Sequence, residues 1–186
     1  MIEEPTTKPQ PSRSSFWREL PILLGVAIVV AVLVRAFVLQ TFFIPSESME
    51  NTLLINDRVL VNKLVYDFRD PHRGEVIVFT SPLDWRTDPN EKDFIKRVIG
   101  VPGDHVVCCD SQGRITVNGK ALDETGYLYT GPDGKQDQAS MNAFDVIVPA
   151  GRLWVMGDHR SRSGTRASST SITTRTSTRR PFRSTR

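Results

Sequence analysis

Residues 93–104 read Asp93-Phe94-Ile95-Lys96-Arg97-Val98-Ile99-Gly100-Val101-Pro102-Gly103-Asp104. Aromatic and β-branched residues flank a pair of bases, and Gly-Val-Pro-Gly closes the run, so the stretch reads as a short strand ended by a turn. Lys96 sits inside this apolar context, where burial disfavours the charged amine. Taken alone, it reads better as a solvated strand residue.

The same pattern extends on both sides. Residues 58–64 and 75–79 read as earlier strands, and 82–93 as a polar loop. Downstream, 105–109, 114–117 and 120–122 form a meander whose Asn118-Gly119 pair is a strong hairpin signal. Residues 130–140 are a second polar loop, and strands follow at 145–148 and 152–156. There is no soluble helical pattern of useful length and no internal repeat. The expected fold class is therefore mostly β.

Upstream lies Phe42-Phe43-Ile44-Pro45-Ser46-Glu47-Ser48-Met49-Glu50-Asn51-Thr52-Leu53, two serines in a Pro-led turn. Serine commonly caps a short helix, which is the plain reading of Ser46 and Ser48. A serine used as a nucleophile needs a base within hydrogen-bond reach, and a desolvated lysine can supply one. Before this turn, residues 20–34 carry no charge. With Phe16, Trp17 and the apolar residues up to 39 they are long enough for a bilayer core of about 30 Å. Arg35 at the far end can snorkel to the headgroups. A cleavable secretory signal and a buried core helix are the other readings, the first weakened because no small-x-small site ends the run. Lys and Arg ahead of the run place the N-terminus in the cytoplasm and the domain outside.

The chain has 186 residues and a formal net charge of +3. That charge comes from the end: 165–186 holds six Arg and no acid, leaving 18 bases against 21 acids elsewhere. No basic run is interleaved with aromatics, so no nucleic-acid surface is expected. Cys108 and Cys109 are adjacent; a bridge between neighbours is disfavoured by their short Cα separation, and they read as a strand detail. His72, His105 and His159 lack metal-ligand spacing and read as surface or loop residues. No metal and no cofactor is expected.

The serine turn, the Lys96 strand and Gly157-Asp158-His159-Arg160-Ser161-Arg162-Ser163, in this order, resemble the bacterial type I signal peptidases. These are membrane-anchored Ser/Lys proteases that remove signal peptides from exported proteins, and the resemblance runs to about Gly164. It implies a membrane-anchored antiparallel β catalytic domain at 40–164, a transmembrane helix at 16–39, and a small inserted non-catalytic β subdomain at about 104–149. It also implies that Ser48 is the nucleophile and Lys96 the general base, whose pKa must fall about three units from 10.4 for the amine to be neutral. Phe94, Ile95, Val98 and Ile99 are the residue types such a pocket needs. Ser46, with the Ser48 backbone N–H, matches the oxyanion hole, and Ser163 matches a serine that orients the lysine amine. Arg97, Asp158 and Arg160 match structural charge partners. The implied partners are signal peptides of preproteins, held extended with small residues at the first and third positions before the cut, and the lipid bilayer. A monomer in the cytoplasmic membrane is expected.

In the family the third block continues Ser-x-Asp-Ser-Arg. Here Ser163-Gly164 is followed by Thr165-Arg166-Ala167, and seven Thr, five Ser and six Arg occur from 165 to 186. That composition is expected to be disordered, as are residues 1–15, and it points to a reading-frame change with low activity. The rival readings are an inactive truncated pseudoenzyme or anchored β binding module, and a soluble Ser/Lys autoprotease of the SOS-repressor type. A Ser-His-Asp hydrolase using Asp158 and His159 is discounted, because strand neighbours point apart and no Gly-x-Ser-x-Gly elbow is present.

Overall fold

A computed structural model of the chain describes residues 13–86, 89–90 and 92–163. The expectations for residues 1–12 and for the 165–186 tail lie outside the described residues. The first element is α1 (Arg13–Leu33), which begins three residues before the expected start at Phe16 and runs into a π-helical turn at Val34–Val38. Its consecutive side chains Ile22, Leu23 and Leu24 are 66%, 65% and 60% exposed, so α1 is apolar all round instead of along one stripe. Among the described residues no helix is long and apolar enough to cross a membrane.

After α1 and its π-helical turn every strand pairing among the described residues is antiparallel, with short helical turns and longer connections between the strands. Strand β1 (Leu39–Phe43) pairs with β2 (Arg58–Asn62), Leu39 facing Asn62 and Phe43 facing Arg58. A 3-10 turn at Glu47–Met49 lies in the connection between them, and the four-residue helix α2 (Val65–Phe68) follows β2. A second sheet has the order β3-β4-β9, formed by β3 (Val76–Thr80), β4 (Asp93–Gly100) and β9 (Trp154–Met156). A third has the order β7-β6-β5-β8, formed by β5 (His105–Cys108), β6 (Thr116–Val117), β7 (Lys120–Ala121) and β8 (Phe144–Ile147). The β6–β7 turn is Asn118-Gly119, with φ of 52° and 76°, the left-handed pair that a tight hairpin turn demands.

Two apolar clusters form the core, and β4 and β9 serve both. Trp154 and Met156 of β9 join Ile99, Val106, Ile115, Val117 and Val148, whereas Val155 joins Ile77, Phe79, Val98 and Leu153. The period-2 alternation of a strand explains the split: both faces of β9 are covered, so all three of its residues are buried. Gly100 makes the crowding possible. A Cβ there would stand 2.7 Å from Val106 Cγ2 and 3.0 Å from Val148 Cγ2.

Three expectations are corrected. Cys108 and Cys109 form a disulfide; strand alternation does not separate them, because β5 ends at Cys108 and Cys109 lies beyond it. His159 is buried, not a surface residue, although His72 and His105 are exposed. Ile95 and Ile99 do not share a face with Lys96. Alternation along β4 leaves Phe94 and Val98 on the lysine side, and Ile99 packs in the other cluster.

Candidate active site

The serine turn, β4 and the turn after β9 meet at one place. Ile44 and Met49, 2% and 0% exposed, pin the two ends of the Pro45–Ser48 stretch into the interior. The backbone closes the loop with Ile44 N–H donating to Asp57 and Asn56 N–H donating to the Ile44 carbonyl, both at 3.0 Å. Ser48 then falls in the 3-10 turn with its side chain turned inward. Lys96 reaches it from the middle of β4, opposite Ile77 of β3. Lys96 Nζ donates a 2.6 Å hydrogen bond to Ser48 Oγ, and both residues are buried, at 8% and 7% exposure. The Phe94 ring centroid is 5.8 Å from Nζ, so an aromatic face lies over the amine. Ser46 Oγ lies 3.3 Å from Ser48 Oγ and is half-buried.

The third block is a turn, not a strand, so the separation of Asp158 from His159 has a different basis from strand alternation. Asp158 is fully buried, and Arg97 grips it with two prongs, Nε to Oδ1 at 2.8 Å and Nη2 to Oδ2 at 2.6 Å. Thr52 Oγ1 donates to Oδ2 at 2.5 Å, and Arg97 Nη1 donates to the Gly74 carbonyl at 2.8 Å. One buried pair thereby ties the serine turn, the lysine strand and the start of β3 together, and two-pronged guanidinium–carboxylate contacts are the directional kind. These contacts hold the Arg97 guanidinium above its ordinary pKa against burial, which is the largest influence and acts to lower it.

His159 turns away from the serine. Its Nδ1 lies 3.1 Å from Glu50 Oε2, its ring stacks on Tyr129 at 3.7 Å, and its backbone N–H donates 3.2 Å to the Ser48 carbonyl. The histidine thus supports the nucleophile's backbone and does not address its hydroxyl. Glu47, Glu50 and His159 each bring a ligand atom within 4.8 Å of the others, a grouping that no sequence spacing announced. His159 is already held by Glu50, and Arg162 Nε lies 3.7 Å from Glu47, so the members of the cluster have partners of their own.

Ser163 is buried at 7% exposure beside Gly157. Gly157 has no room for a side chain: a Cβ there would stand 2.5 Å from Ser163 Oγ and closer still to the Ser48 carbonyl oxygen. Arg160, 3% exposed, reaches into a pocket of acceptors: Gly157 O, Ala139 O and Glu124 Oε1. Glu124, Tyr127 and Tyr129, which complete this wall, carried no signal in the sequence, because Arg160 and His159, which Glu124 and Tyr129 meet, lie 30 or more residues away and follow no short motif. Chemically, the assembly is a buried hydroxyl with an amine at hydrogen-bond distance and a second hydroxyl beside it. It suits acyl transfer.

Comparison of the sequence with known proteins gives the same direction. The model of the signal peptidase family, peptidase S26, matches residues 17–164. A probable signal peptidase I-2 of Synechocystis is 40% identical over 88% of this chain and 70% of its own length. A signal peptidase I of Mycobacterium tuberculosis is 36% identical, and the chain spans only 65% of that relative's length. The crystal structure of a signal peptidase I from Enterococcus faecalis superposes over 51% of this chain and 82% of its own, with 28% identity and a TM-score of 0.38.

Proposed function

The chain belongs to the signal peptidase family, peptidase S26, and we propose that Ser48 and Lys96 perform that family's removal of signal peptides from exported preproteins. The observation that carries the assignment is the 2.6 Å contact between the buried Lys96 amine and the Ser48 hydroxyl. Ser48 Oγ attacks the scissile carbonyl while Lys96 Nζ, neutral at the start, takes the hydroxyl proton. The tetrahedral oxyanion is received by the Ser48 backbone N–H and the Ser46 hydroxyl. Lys96 then returns its proton to the leaving amine, and the mature protein departs. Water, deprotonated by the same amine, hydrolyses the ester on Ser48 and frees the signal peptide. Ser163 orients the amine, and the Arg97–Asp158 pair fixes the walls.

The anchor is α1 with the π-helical turn after it. An apolar helix exposed on all sides is the kind that lipid covers. Positive-inside counting puts the N-terminus in the cytoplasm and Ser48 on the outer face, against the membrane where preproteins emerge. The chain acts as a monomer, and 104–149 is an inserted subdomain without catalytic groups of its own.

The test is cleavage of a preprotein, in detergent or vesicles, by the purified chain with Asp-Ser-Arg restored after Gly164. Ser48→Ala and Lys96→Ala each abolish cleavage, and His159→Ala keeps it. Activity that survives Lys96→Ala, or is lost only with the histidine, sinks the assignment.

A further inference from the structure

A set of buried groups outside the Ser48–Lys96 pair converges on the turn after β9, and it comes from the segment joining β7 to β8. Glu124 Oε1 accepts 2.6 Å hydrogen bonds from Arg160 Nη2 and from the Tyr127 hydroxyl. Arg160 Nε in turn donates 2.8 Å to the Gly157 carbonyl, and its Nη1 donates to the Ala139 carbonyl. Gly157 is the residue whose Cα is wedged between the Ser48 carbonyl and Ser163. Glu124 is thus connected to both serines through one guanidinium and one backbone unit. Alongside, Tyr129 N–H donates 3.1 Å to the Asp158 carbonyl, so the same segment holds the next residue of the turn.

The character of the pair argues for a role beyond filling space. The Glu124 and Arg160 side chains are 4% and 2% exposed, and Glu124 Oε2 has no hydrogen-bond partner among the described residues. Apolar residues of the same volume commonly serve stability as well as a buried ion pair does, and an orphaned acceptor is a cost. What apolar residues cannot do is hold a carbonyl oxygen at a fixed point. The planar guanidinium fork does so by engaging three acceptors at once. Tyr127 steadies the carboxylate; burial first, and the Glu124 charge second, push its phenol well up, so it remains a donor.

Resting on the peptidase reading, we propose that Glu124 is a positioning residue for that reaction. Through Arg160 it fixes Gly157 against Ser48 and Ser163 and so sets the geometry in which Lys96 meets the Ser48 hydroxyl.

The test uses the full chain in detergent micelles. Glu124→Ala removes the shared acceptor, Arg160→Lys keeps the charge and loses the fork, Glu124→Gln restores one acceptor, and Asp145→Ala on the exposed side of β8 is the control. Kinetics on a signal-peptide-bearing substrate are taken where circular dichroism shows each variant folded; if Glu124→Ala does not fold, Arg160→Lys decides. A misplacement of the order of 1 Å predicts a loss of about tenfold to a hundredfold in kcat. KM stays within about twofold, because no substrate contact is removed. Glu124→Gln recovers most of kcat, whereas Glu124→Met, which keeps the volume and loses the acceptor, does not. In parallel, the Lys96 amine is titrated by carbon NMR at lysine Cε, a signal readable without turnover. Its midpoint moves in Glu124→Ala and Arg160→Lys and stays in Asp145→Ala. Unchanged kcat in the folded Glu124→Ala or Arg160→Lys chain overturns the proposal. A chain that cleaves nothing unsubstituted, and still nothing once Asp-Ser-Arg follows Gly164, removes the peptidase reading instead, and an unmoved Lys96 titration then overturns the positioning role separately.

Discussion

Replacing Gly157 by alanine adds one methyl group at the most crowded point of the site. The new Cβ would stand 2.5 Å from Ser163 Oγ and 2.8 Å from its Cβ, and nearer still to the Ser48 carbonyl oxygen, where ordinary contact begins at 3.4 Å. One side must therefore retreat by roughly 1 Å, and a misplacement of that size at a reacting group costs about a hundredfold in rate. A hundredfold corresponds to about 2.7 kcal/mol of lost transition-state stabilisation. The Ser48 carbonyl cannot swing aside freely, because it also accepts the His159 N–H at 3.2 Å. Folding suffers as well, by the roughly 1–3 kcal/mol typical of overpacking. The assay is preprotein cleavage with kcat and KM separated, beside a thermal melt, in a chain whose residues after Ser163 follow the family's x-Asp-Ser-Arg continuation. A folded Gly157→Ala chain with unaltered kcat would refute the view that this glycine sets the spacing of the two serines.

Asp158→Ala leaves the Arg97 guanidinium without its two carboxylate bonds in a site where the aspartate is fully buried. Breaking such a pair costs about 3–5 kcal/mol, to be read from chemical denaturation. Glu75 supplies a pH signature: hydrogen bonding to Arg69, chiefly, lowers its pKa to about 2. Its unfolded value is near 4.3, so its contribution is complete above that pH and is lost as the pH falls toward 2. Melts of the parent chain should fall more steeply across that window than melts of Glu75→Gln, and parallel curves would show that the carboxylate contributes nothing. Restoring Asp-Ser-Arg after Gly164 should raise cleavage above that of the chain with Thr165-Arg166-Ala167; equal activity would remove the case for a damaging frame change.

Much of the β architecture was legible because its strands carry β-branched runs punctuated by Gly, Pro and Asn. β3, β4 and β5 lie within a residue or two of their expected bounds, and Asn118-Gly119 makes its hairpin. β1 was not foreseen as a strand: Leu39–Phe43 follows the apolar run directly, with no turn residue to mark where helix gives way. In the site, the closeness of Ser48 to Lys96 could be anticipated only through the ordered blocks, since a separation of 48 residues has no local signature. His159 was misread because a histidine's burial depends on what the fold stacks on it, here Tyr129. Ile95 and Ile99 were assigned to the lysine pocket from residue type, and strand parity sends them elsewhere. Glu124 gave no warning, for an acid in a polar loop looks solvated until an arginine 36 residues away closes over it.

The central claim is that Ser48 carries the acyl group, and acid quenching during turnover of a preprotein tests it most directly. Trypsin releases Ser48 in the peptide 36–58, and fragmentation of that peptide distinguishes Ser48 from Ser46. A signal-peptide ester is expected on Ser48, absent in both Ser48→Ala and Lys96→Ala. An ester on Ser46 or any other residue, or cleavage that persists in Ser48→Ala, would contradict it.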